Sequence, residues 1–166
     1  MNCTLTKTYV LISVAIAMLV AAVVLAYFFL NWVALLAAIA LAATVSFAMI
    51  PAIRSSIRDY VTCRGPSQRC SISPAIDVLS QAAVVLSITS WTIAVALEIP
   101  AVVALASAFL AWLGVSLAVL AVPWRLLGIG CAAACAAVLV GVLTNVSGYA
   151  ACRDDEAAGG GGGPIN

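Results

Sequence analysis

From Tyr9 to Ile53 the chain runs without a single charged residue. As one α-helix this stretch would be about 68 Å long at 1.5 Å per residue, against a hydrocarbon core of about 30 Å. The stretch therefore predicts two membrane crossings. The polar Asn31 beside Trp32 suits a water interface, and the first crossing is expected to end there. A cleaved signal sequence is the rival reading, with Lys7 as its basic region. Its apolar part would normally be about 7–15 residues, far shorter than Tyr9–Leu30, so a retained first span is expected.

The rest of the chain supports this class. It is 66% hydrophobic and 8% charged, where a soluble domain carries about 25% charged residues. A water-soluble fold of this size has no interior large enough for so much apolar surface. Lipid offers no partners to free backbone groups, so spanning segments are helical or form a closed barrel. The ten-residue alternation of a barrel is missing. The expectation is an all-α, polytopic transmembrane helical bundle of about five spans, with four as the alternative.

Residues 1–8 form a short N-terminal segment and 9–53 hold the first two spans. Residues 54–74 read as a polar basic loop with Arg54, Arg58, Arg64 and Arg69. Pro74 opens a third span, broken at Glu98-Ile99-Pro100. A fourth is expected over about 101–122, ending at Pro123-Trp124-Arg125, and a fifth over about 126–148. Residues 150–166, acidic and then glycine-rich, read as a flexible tail. With five spans, Lys7, the four loop arginines and Arg125 share one side, and only Arg153 lies on the other. The excess of basic residues then predicts a cytoplasmic N-terminus in a cell inner membrane and an external C-terminus.

Four constellations carry possible chemistry. Cys63 and Cys70 bracket Gly65-Pro66 in a C-x6-C stretch. In an oxidising compartment this would make a local disulfide; in the expected cytoplasmic setting it reads as loop thiols or soft-metal ligands. Cys131 and Cys135 lie four apart on one helix face and could pass a soft cation towards the loop pair. The combination has a loose parallel in small mercury-handling membrane proteins, whose cysteines are adjacent or in CxxC, spacings not found here. The plainer reading is that both cysteines are small residues in a helix seam.

On the third span, Asp77, Ser80, Gln81, Ser87, Trp91 and Glu98 fall on one polar stripe. Such a stripe faces protein or water rather than lipid. It could line a narrow path, or it could hydrogen-bond helix to helix with the end carboxylates reaching the interfaces. Small residues four apart form the last constellation: Ala133, Ala137, Gly141 and Asn145, and Ser107, Ala111, Gly114 and Ala118. They let helices pack closely, within the chain or in a homo-oligomer or with other membrane proteins.

A net charge of +1 gives no basis for nucleic-acid binding, and no histidine is present. No nucleophile–base set, phosphate loop or paired carboxylates can be assembled. No cofactor is implied. The sequence favours a small-solute or ion passage protein, or a membrane-embedded subunit of a larger assembly. The rival is thiol redox or soft-metal handling by the two cysteine pairs. The lipid bilayer is the one partner that composition demands.

Overall fold

The computed structural model describes residues 5–29, 31–65, 70, 72 and 75–159. These residues are helical almost throughout, and among them no strand occurs. Helix α1 spans Thr6–Phe28, α2 Trp32–Arg64, α3 Ala75–Ala96, α4 Pro100–Trp112 and α5 Trp124–Gly159. Four of them are long and apolar enough to cross a membrane; α4, at 13 residues, is too short.

Local chemistry explains the breaks. Asn31 caps α2, its side-chain oxygen accepting from the Ala34 amide at 2.8 Å. This satisfies one of the orphan donors of a helix start. Pro51 sits within α2 and cannot donate to the carbonyl of Phe47. The helix absorbs this with a π-turn over Val45–Met49 and continues to Arg64. Residues 54–64, expected as loop, are therefore helix: Pro51 falls just after the π-turn and does not end α2. Gly65, at φ +78° and ψ 167°, takes an extended positive-φ backbone that glycine adopts readily, and the helix ends there.

The expected fourth span, 101–122, is not one helix. It divides at Gly114, with φ +67°, into α4 and a short 3-10 turn over Leu117–Ala121. Four crossings return the chain to its starting side. The start of α1, the end of α2 and the end of α5 then share one end of the bundle, called the cap end below. The α3–α5 connection lies at the opposite end.

A heptad pattern of burial holds the bundle together. In α1 the buried positions are Thr8, Ile12, Ala15, Leu19, Ala22 and Ala26. In α5 they are Gly128, Ala132, Cys135, Leu139, Val142, Val146 and Tyr149. In α3 they include Ser80, Val84, Ser87 and Trp91. Steps of four and three repeat with a mean of 3.5, the signature of left-handed helix packing. In α2 the pattern runs through Leu35, Ala38, Ala42 and Val45, and the π-turn also buries the next residue, Ser46. Many of these positions are Ala, Gly or Ser. In lipid, close backbone approach rather than water exclusion drives helix association.

Candidate functional site

Three places gather the polar side chains: the α3–α5 seam, the cap end and the opposite end.

The seam is the most extensive helix–helix contact of the chain. Ser87 Oγ donates to the Gly128 carbonyl at 2.7 Å, and both residues are buried. One turn further along α3, the Trp91 ring packs closely against Gly128. A Cβ built on Gly128 would stand 2.4 Å from Cδ1 and Nε1 of the Trp91 ring. Glycine at 128 is thus required by the indole. Towards the cap end, Cys135 Sγ contacts the Ser80 carbonyl at 3.5 Å, again buried. Gln81 is half-buried beside them. The side chain of Asp77 lies outside the described residues. Ser80, Ser87 and Trp91 therefore face α5, with Val84 among them, and Trp91 Nε1 finds no hydrogen-bond partner among the described residues.

Glu98 ends the stripe at the opposite end, where Arg125 Nη2 donates to its Oε1 at 2.8 Å. This ion pair ties the end of α3 to the start of α5. A cleft of about 350 Å³ lined by Trp32, Val95, Glu98 and Ile99 opens beside it. Tyr27, Phe28, Phe29 and Trp32 are exposed at the same end, as an aromatic belt at a membrane interface would be.

The cap end is built from the helical extensions of α2 and α5 beyond the apolar spans. Thr8 and Ser56 hydrogen-bond across α1 and α2 at 2.8 Å. Beyond them Tyr60, Tyr149 and Cys70 form a second small core, supported by Leu5, Val61, Ile72 and Cys152. The two tyrosine rings meet edge-to-face at 6.2 Å, and the Arg64 guanidinium stands over Tyr60 at 5.7 Å. Cys70 is disulfide-bonded to Cys152, across 82 residues of sequence. Cys63 is also in a disulfide, with a partner outside the described residues. The C-x6-C hairpin pairing is therefore not formed. Both cysteines are oxidised, against the expected loop thiols or soft-metal ligands, because the end of α5 brings Cys152 to Cys70.

The cap's charges are cross-linked too. Arg64 pairs with Asp154 at 2.9 Å and Arg153 with Glu156 at 2.7 Å. Arg153 Nη2 donates to the backbone carbonyls of Arg64 and Gly65. A side chain of α5 thus satisfies carbonyls left open at the end of α2. These contacts continue α5 to Gly159, so residues 150–159, expected as tail, are helix.

Cys131 is half-buried and Cys135 buried, both as free thiols. From Cys135 to Cys152 the helix rises about 25 Å. The intramembrane thiols and the Cys70–Cys152 disulfide are therefore far out of reach of each other. No cluster of three or more metal-ligating side chains occurs among the described residues.

The outer face of α5 is a different kind of surface. Ala133, Ala137 and Asn145 are exposed and Gly141 is half-buried. A Cβ added at Gly130, Gly141 or Gly148 would meet nothing within 4 Å. On and after α4, Ala111, Gly114 and Ala118 are exposed and Ser107 is half-buried.

The fold defines an integral membrane protein, an all-α helical bundle with four helices able to cross the bilayer. No family model, curated protein or solved structure matches the chain.

Proposed function

We propose that the chain is a membrane-embedded subunit of a larger assembly, built as a disulfide-capped four-span bundle. The observation that carries this reading is the set of glycines on α5 that the chain itself does not need. Gly128 is demanded by Trp91, but Gly130, Gly141 and Gly148 have open space where a side chain would be. Each glycine inside a helix costs about 1 kcal/mol relative to alanine. A compensating gain is close approach of a further helix, on the face that carries Ala133, Ala137 and Asn145. Passage through the bundle has less support. Ser80, Ser87 and Trp91 of the polar stripe are turned into the α3–α5 seam, and bulky Ile12, Leu19, Leu35 and Leu139 fill the interior.

Native-mass measurement after mild-detergent extraction tests the assembly. The wild type should exceed one chain in mass, and Gly141→Leu should reduce it to the monomer with the fold retained. A monomeric wild type, or an assembly indifferent to Gly141→Leu, defeats the reading.

The same bundle is proposed to sit with its cap end in an oxidising space outside a cell membrane. Counting basic residues favours the reverse: Lys7, Arg54, Arg58, Arg64 and Arg153 share the cap end, against Arg125 at the opposite end. The disulfide chemistry weighs more. Cystines persist in oxidising compartments and are rare where glutathione and thioredoxin keep thiols reduced, and the cap end holds both Cys70–Cys152 and the disulfide of Cys63.

A further inference from the structure

Between Glu98 and Arg125 the chain carries no charged residue. We infer that this segment, 99–124, is a re-entrant hairpin immersed in the membrane leaflet opposite the cap end, with lipid acyl chains as the occupant of its surface. The inference is independent of the assembly reading.

The geometry that points there begins with closure. The Glu98–Arg125 ion pair, at 2.8 Å, fixes the two ends of the segment side by side. The chain therefore leaves and re-enters at one membrane face. Helix α4 is about 20 Å long at 1.5 Å per residue, too short for a crossing of about 30 Å and long enough to occupy one leaflet at a tilt.

The surface of α4 is apolar on every side. None of its residues is buried. Leu105 is 74% and Trp112 78% exposed, more than the outward-facing Val20 of α1 at 52%. An interfacial helix would carry a polar face towards water. Here the two hydroxyls of the segment are used locally: Ser107 donates to the Ala104 carbonyl, and Ser116 accepts from the Ala118 amide.

The two ends of α4 are closed in the same way. Pro100 opens α4 and removes one donor that would otherwise lack a partner. At the other end Gly114 N–H reaches the Ala111 carbonyl and Val115 N–H the Leu110 carbonyl. This is the paired C-terminal closure made possible by a left-handed glycine. On the return limb, Trp124 Nε1 donates to the Val119 carbonyl at 3.2 Å. Internal closure of this kind is what a bilayer interior demands of backbone and indole groups.

Spin labels test it. Leu105→Cys and Trp112→Cys, each in a Cys131→Ala/Cys135→Ala background, are labelled with a nitroxide and reconstituted in phosphatidylcholine vesicles. Val20→Cys is the lipid-facing control. Both hairpin labels should collide several-fold more with oxygen than with a water-soluble nickel chelate, as the control does. Preferential collision with nickel would place the hairpin in water and overturn the proposal. Protection from both agents would mean that protein covers it, which overturns it equally. Retention of the Cys70–Cys152 disulfide on non-reducing gels reports that the labelled variants are folded.

Discussion

Gly128 and Gly130 stand two residues apart on α5, and alanine should have opposite effects at the two positions. At 128 the new Cβ would lie 2.4 Å from the Trp91 ring, about 1 Å inside ordinary contact. Trp91 is fully buried and has no room to swing away. Either α3 and α5 separate or the indole leaves its rotamer, and overpacking of this kind costs about 1–3 kcal/mol. Separation would also stretch the 2.7 Å bond from Ser87 to the Gly128 carbonyl, worth up to about 1 kcal/mol. Alanine's higher helix propensity returns at most about 1 kcal/mol. Gly128→Ala should therefore destabilise by about 1–3 kcal/mol. At 130 nothing opposes the added methyl, and Gly130→Ala should stabilise the isolated chain by up to about 1 kcal/mol through propensity alone. Reversible unfolding in mixed micelles titrated with sodium dodecyl sulfate, followed by helical circular dichroism, reads both. Adding Trp91→Leu to Gly128→Ala should recover part of the loss. Equal stability of Gly128→Ala and Gly130→Ala would refute the account of the seam.

Three further outcomes follow from the same contacts. Ser87→Ala removes a buried interhelical hydrogen bond and should cost about 0.5–1 kcal/mol in the same titration, in the range found for such bonds between membrane helices; no change would mean the bond contributes nothing. Cys152→Ser opens a cross-link over 82 residues. The chain-entropy estimate for such a loop is about 4.5 kcal/mol, and because retained spans already restrict the denatured chain, a loss of about 2–4 kcal/mol is expected. A stability unaffected by Cys152→Ser would refute that role. Arg153→Gln removes the charged donor from the end of α2 and the pair with Glu156. Amide hydrogen exchange over residues 58–64 should accelerate several-fold, while exchange in α1 stays unchanged.

The transmembrane, all-α nature of the chain was legible from charge-free length alone, because lipid leaves the backbone so few options. Several divisions were not, and each failure has a physical cause. Arg54 read as the start of a loop, but a π-turn accommodates Pro51 just before it and the cap gives the helix beyond the membrane something to pack on. The stretch 101–122 has the composition of a span, and only the left-handed turn at Gly114 divides it. Counting α4 as a crossing also carried Arg125 to the cap end, and with it the expected position of Cys131 and Cys135. The polar stripe was visible, whereas its burial against Gly128 depends on pairing α3 with α5, which one helix cannot reveal. The heptad spacing of the inward positions, from Thr8 to Ala26 and from Gly128 to Tyr149, was the unread signal. Spacing four apart picked Ala133, Ala137 and Asn145, which lie outside, while alternating steps of four and three pick the seam. Cys152 shows the same limit: a disulfide partner 82 residues away is found by topology and not by local spacing.

The central claim is that residues 70 and 152 meet at one membrane face, in an oxidising space. Intact cells carrying the Cys131→Ala/Cys135→Ala variant can be treated with a membrane-impermeant maleimide, with and without an impermeant reductant, and the modified peptides located by mass spectrometry. The account predicts no modification without reductant, and modification of both Cys70 and Cys152 after it. Labelling that requires cell lysis would put the cap in the reducing interior, and labelling of only one of the two would deny that the chain crosses the membrane an even number of times between them.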